Sequence, residues 1–142
     1  MGVSDEDMQR CRSGMAMVEM AFVLPVLLLL VFAIAEMGLM FQRWLTLSNA
    51  VREGARHAIV YQPPGSCTAA DIQAVKDRVV SYANAGGVPI ASGDVTVSNV
   101  CGASNTQVSV SASYPYPFQV LPGLSTIAPT IVLQYAAQMR NE

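Results

Sequence analysis

Residues 15–41 read MAMVEMAFVLPVLLLLVFAIAEMGLMF, and of these 27 only Glu19, Pro25, Glu36 and Gly38 are not apolar. As a helix the stretch rises about 40 Å, more than the roughly 30 Å hydrocarbon core of a bilayer. It is long enough to span. Its charge-free centre, Met20 to Ala35, is only 16 residues, so a span must either reach past Glu36 or hold Glu19 in the hydrocarbon. Pro25 removes one helical hydrogen bond to the carbonyl of Ala21 and should kink the helix locally.

The helical pattern continues beyond the apolar run. Met40, Trp44, Leu47, Val51, Ala55 and Ala58 recur at spacings of three and four, with Arg43, Asn49, Arg52, Glu53 and Arg56 on the other faces. The spacing predicts one helix from about Met15 to Val60, about 70 Å long, ending before Gln62-Pro63-Pro64-Gly65. The small residues Ala50, Gly54, Ala55 and Ala58 permit close approach of another helix or of a sheet.

The remainder reads as a small α+β domain. Thr68-Ala69-Ala70-Asp71 is a capping box with Asp where Glu is usual, opening a short helix with Ile72, Val75, Val79 and Tyr82 as its apolar face. Ala85-Gly86-Gly87 ends it. Residues 94–100, 107–114 and 130–139 read as strands, the last two alternating apolar and polar positions, with Pro115, Pro117, Pro122 and Pro129 confining the intervening segment to loops. The fold class is α+β: a long N-terminal helix, transmembrane in its first half, a short helix, and a small three-stranded antiparallel sheet, pilin-like. From Val95 to Gln138 there are 44 residues without Asp, Glu, Lys or Arg. Open sheet edges are usually guarded by charge, so this edge is either covered within the chain or paired with a neighbour.

Composition excludes several classes. The chain has 142 residues, 52% apolar and 13% charged, with a formal net charge of −2. A two-domain enzyme, a disordered chain and a coiled coil all fit badly. Basic residues do not cluster enough to neutralise several phosphates, so no nucleic-acid partner is expected. His57 is the single histidine and has no triad or metal motif around it. There is no phosphate loop, dinucleotide fingerprint or CxxC. Neither an enzyme nor a cofactor or metal site is expected.

The first fourteen residues resemble a processed leader: Ser4 to Asp7 is polar and acidic, and Arg10, Cys11, Arg12, Ser13 and Gly14 approach the apolar run. A lipoprotein signal would place its cysteine after the apolar stretch, and Cys11 precedes it. A conventional signal peptide would end at Ala33-Ile34-Ala35 and release a secreted soluble binding domain starting at Glu36. Against it, apolar residues continue at Met37, Leu39, Met40 and Phe41, and Glu19 interrupts the start of the hydrophobic region. The third scheme uses Gly14-Met15-Ala16-Met17-Val18-Glu19, which resembles the processing site of type IV prepilins: a glycine after basic residues, then an apolar helix whose fifth residue is Glu.

The downstream residues narrow the resemblance. Val18-Glu19-Met20-Ala21, the Leu-rich run with Pro25, Glu36, and Asn49-Ala50-Val51-Arg52-Glu53-Gly54-Ala55-Arg56 together resemble the TadE-like pseudopilins of tight-adherence (Tad) pilus systems. The resemblance is strongest from Ser13 to Tyr61, looser over the C-terminal half, and Met15 stands where related major pilins often carry Phe. It implies a leader over 1–14 removed by a prepilin peptidase between Gly14 and Met15, a transmembrane and assembly helix over 15–41, its continuation over 42–61, and an extracytoplasmic domain over 62–142. It also implies a single-pass protein of the bacterial inner membrane, incorporated in or assisting an adhesive pilus that serves surface attachment and biofilm. Its partners would be the Tad assembly platform and other pilins.

Two carboxylates and two cysteines carry the site expectations. A carboxylate at the centre of a membrane helix is unfavourable by about 2.5 to 3.5 kcal/mol on insertion scales. Glu19 either reaches back to the headgroups or pairs, after cleavage, with the new Met15 α-amine of a neighbouring subunit. Glu36 is expected at the outer interface, with a specific intramembrane contact as the alternative. With Cys11 in the leader, Cys67 and Cys101 form one even pair. Outside the cytoplasm they could join in a disulfide, stabilising the fold by roughly 3.5 to 4 kcal/mol in the chain-entropy model. Two buried free thiols are the alternative.

Overall fold

The computed structural model describes residues 5–60, 68–100, 102, 105–120 and 130–140, with side chains from residue 14 onward. The order of elements is α1 (Asp5–Val60), α2 (Ala69–Ala85), a single 3₁₀ turn (Ser92–Asp94), β1 (Val95–Ser98), β2 (Gln107–Tyr116) and β3 (Ile131–Arg140). The α+β class and the three-stranded antiparallel sheet are as expected.

Helix α1 ends at Val60 as the spacing predicts, but begins at Asp5, ten residues before Met15. No proline stands between Asp5 and Gly14 to break the backbone. Gly14 and Pro25 are both carried inside the helical register.

Only the second half of α1 is part of a core. Leu47, Ala50, Val51, Ala55 and Ala58 are buried, while the expected Met40 and Trp44 are partly buried at its lower end. The inner face of α1 packs on β2, β3 and α2, and α2 also meets β1.

At the crossing with α2 the helices approach until a Cβ on Gly54 would overlap a methyl of Val79. That approach sets the rotation of α2. Its buried stripe is Val75, Val79 and Ala83, and the expected Ile72 and Tyr82 lie exposed on its flanks because their bulk does not fit beneath a glycine crossing. Gly54→Ala gains up to about 1 kcal/mol of helix propensity, against about 1 to 3 kcal/mol for overpacking a stiff β-branched neighbour. A net loss of about 1 kcal/mol is expected in thermal unfolding of the detergent-solubilised protein. The penalty should largely vanish in a Val79→Ala background, and additive effects of the two changes would contradict the crossing as described.

Both ends of α2 follow the sequence. The Asp71 carboxylate accepts from the Thr68 N–H at 2.8 Å and from its hydroxyl at 2.7 Å. These two bonds, backbone first, hold the Asp71 carboxyl below its ordinary pKa. At the other end Gly87 adopts φ +80°, Val88 N–H reaches the Ala83 carbonyl at 2.9 Å and Gly87 N–H that of Asn84 at 3.0 Å. This is a Schellman stop, for which glycine is the natural residue.

The strand order is β1-β2-β3. Val95 faces Ala112, which faces Tyr135, and at the far end of the second pairing Tyr116 faces Ile131. The inner face carries Val108, Val110, Ala112, Tyr114 and Tyr116 of β2, all buried against the helices. The outer face carries Thr96, Ser98, Ser109, Ser111, Ser113, Gln134 and Gln138, a largely polar surface with Arg140 at one end and Val132 at the other. No further strand pairs with β1 or β3 among the described residues.

Candidate functional site

Two stretches of α1 hold the candidate residues. From Gly14 to Ala35 every side chain is exposed, and the most apolar window has no buried residue. By length and composition this helix can cross a membrane. Gly14 and Met15 lie within regular helix, with open space around the position of a Gly14 Cβ. Glu19 is one turn further on, exposed, and makes no hydrogen bond or ion pair among the described residues. Among the described residues the apolar run therefore has no partner surface.

Glu36 ends that regime. Among the described side chains of α1 it is the first that is buried, at 6% exposure. One carboxylate oxygen accepts from the Tyr116 hydroxyl at 2.7 Å and from the Gln119 N–H at 3.0 Å, and the other accepts from the Val120 N–H at 2.7 Å. Charge-assisted bonds of this kind are about twice as strong as neutral ones. Burial, and then the bond to the Glu36 carboxylate, push the Tyr116 phenol up from 10.0 to about 12. The segment leaving β2 is therefore fastened to the helix where the apolar run stops.

Further up α1, Arg43, Arg52 and Glu53 make similar attachments. Arg43 Nη1 donates to the Gly87 carbonyl at 2.6 Å and to the Tyr114 hydroxyl at 3.3 Å. Arg52 Nε donates to the Tyr135 hydroxyl at 2.9 Å, with its guanidinium 5.4 Å from that ring's centroid. Glu53 accepts from Arg78 of α2 at 2.9 Å, a bond that holds its carboxyl below the usual range. Read along the chain, Arg52, Glu53 and Gly54 of the Ala50–Arg56 motif face β3, the exposed side of α2 and the α2 crossing respectively. The motif docks the domain onto its helix.

Reading along the chain placed Glu36 near the end of the apolar run but did not find its partners. Their signal was present in Tyr114-Pro115-Tyr116-Pro117, since tyrosines are the strongest side-chain donors in a segment that lacks Lys and Arg. Cys67 and Cys101, expected as a pair, lie outside the described residues. No three His, Cys, Asp or Glu side chains come together in a metal-binding cluster among the described residues.

The fold and the site define a class: a lipid-compatible N-terminal helix whose second half is the backbone of a small α+β head. Within it, residues 14–56 match the family model described as TadE-like protein, so this segment of the chain is similar to that family. The match begins at Gly14 and ends at Arg56, covering the exposed helix, Glu36 and the docking motif. That family suggests a Tad pilus-associated protein. No curated protein and no solved structure matches the chain.

Proposed function

We propose that this chain is a membrane-anchored pseudopilin, or minor pilin, that supports assembly of a Tad-type adhesive pilus. The observation that carries this reading is the TadE-like match over an apolar helix that is unburied among the described residues. A prepilin peptidase removes residues 1–14, and Met15 becomes the N-terminus of the assembly helix. Glu36, tied to the domain, marks the outer end of the span. Met15 to Ala35 is then 21 residues, about 31 Å of helix against a core of roughly 30 Å. The extracytoplasmic domain stands outside the inner membrane, and the partners are the Tad assembly platform and other pilins.

Glu19 lies inside this span, within about 6 Å of its inner end. A carboxylate so placed is retained for a partner, and the Met15 α-amine of a neighbouring subunit supplies the complementary charge. Release after Ala35 would instead create a cationic amine beside the Glu36 carboxylate and separate the domain from its anchor. N-terminal sequencing of envelope protein from cells carrying the peptidase is expected to begin at Met15. Gly14→Arg should leave the full-length precursor, because a bulky cation does not enter a pocket fitted to glycine. A mature N-terminus at Glu36 would overturn the proposal.

A further inference from the structure

On α1 the exposed apolar surface does not stop at Glu36. Ile34, Met37, Phe41 and Leu45 follow one another at spacings of three and four, and all are exposed, Phe41 by 58%. This stripe continues the apolar span beyond Glu36 for about 13 Å, by the helical rise. It lies on the side of the helix facing β3, since Trp44, stacked on Phe41 with centroids 6.0 Å apart, meets Tyr135 edge-on at 5.9 Å.

The lower end of β3 has the same character. Ile131 faces Tyr116 and Val132 faces Pro115, and Tyr116 is bonded to Glu36. The start of β3 is therefore at the level where the span ends, and there Val132 is 49% exposed with Ile131 beside it. The cation on this side, Arg52, stands about two helical turns beyond Leu45 and is bonded to Tyr135, and none stands at the level of the stripe. Arg43 turns away to Gly87 and Tyr114, Arg140 lies at the opposite end of β3, and Val95 to Gln138 contains no ionisable Asp, Glu, Lys or Arg.

We propose that the β3 side of the domain is a membrane-contact face: the molecule leans toward β3, and Phe41, Leu45, Ile131 and Val132 rest in the headgroup layer of the bilayer its helix spans. The proposal rests on the spanning reading above. A tilt of about 20° is average for a membrane helix and aromatic side chains favour this layer. Upright, Trp44 would stand about 12 Å beyond Glu36, clear of a headgroup layer roughly 5 to 7 Å thick. A lean toward β3 of about 30 to 35°, within the range of membrane helices, lowers an indole about 6 Å off the helix axis into that layer.

Trp44 is the only tryptophan, so its emission reports this position without any substitution. The full chain is reconstituted into phosphatidylcholine vesicles with or without lipids brominated at the shallow 6,7 positions, and floated on a density gradient. The expected result is co-flotation with emission about twofold lower in brominated vesicles, as for an indole at the headgroup level. Replacing both exposed residues, Ile131→Asp with Val132→Asp, should restore emission at unchanged flotation. Flotation with equal emission in both vesicles overturns the leaning face alone. A blue shift that grows with protein density but is insensitive to bromine assigns the stripe to a second copy and likewise overturns it. Failure to float removes the spanning reading and this proposal together.

Discussion

Replacing Glu36 by Leu is expected to unfasten the end of β2 from the helix and destabilise the domain by about 3 kcal/mol. The acceptor for three donors disappears, and each buried donor left unsatisfied costs about 1 to 3 kcal/mol, non-additively. The gain from one more apolar side chain, about 1.5 to 3 kcal/mol at full burial, offsets this only in part. Thermal unfolding in detergent should show the loss, and chymotrypsin should cut faster after Phe118, which follows Tyr116 edge-on at 6.1 Å. Glu36→Gln keeps one acceptor oxygen and should fall between the two. A Glu36→Leu protein as stable and protease-resistant as the native one would show that the carboxylate fastens nothing.

The same contact predicts an alkaline limit. Folding pushes the Tyr116 phenol up to about 12 from the ordinary tyrosine value of 10.0, so between these values the unfolded chain releases this proton and the folded one keeps it. Stability attributable to Tyr116 is fully present below pH 10 and is lost as pH rises toward 12. Tyr116→Phe should flatten that part of the alkaline unfolding curve.

The second large effect is expected at Glu19, and it should appear only in assembly. Glu19→Val removes a charge from the span, so insertion should be unchanged or easier. The residue is exposed and has no partner in the described structure, so the stability of the domain should not change. A charge-assisted contact to the Met15 amine of a neighbour, strong where water is excluded, would be lost. Cleaved, membrane-retained protein with few or no pili and defective surface attachment is the expected phenotype. Normal piliation at normal protein levels would show that Glu19 is an interfacial residue without an assembly role.

The two carboxylates differ in what reveals them. Glu19 is legible in the sequence because its position is defined by a local pattern, a glycine, four residues, and an acid opening an apolar run. The folded domain adds nothing to it, as the exposed helix has no internal partner. Glu36 is conspicuous for the same reason, yet its role depends on donors 80 or more residues away. No spacing rule connects those positions, because the connection runs through the packing of β2 on α1.

By itself the sequence determined which elements form, although α1 begins at Asp5 rather than Met15 and β2 runs through Pro115 to Tyr116, where the prolines predict a loop. Helix periodicity, the Thr68–Asp71 box, the Gly86-Gly87 stop and the alternation of β2 and β3 are short-range constraints of backbone geometry and solvation, and each acts within a few residues. The length and apolarity of residues 15–41 likewise settle that the helix can cross a bilayer, since that depends on the helical rise and on transfer from water. Tertiary structure alone decided the rotation of α2, which follows from the close crossing at Gly54 and turns Ile72 and Tyr82 outward. It also decided the fastening of the β2 end to Glu36 and the placing of the apolar start of β3 at the end of the span. Those outcomes depend on which surfaces meet, and contact between distant segments is fixed by shape and by the pairing of buried polar groups, which no local pattern encodes.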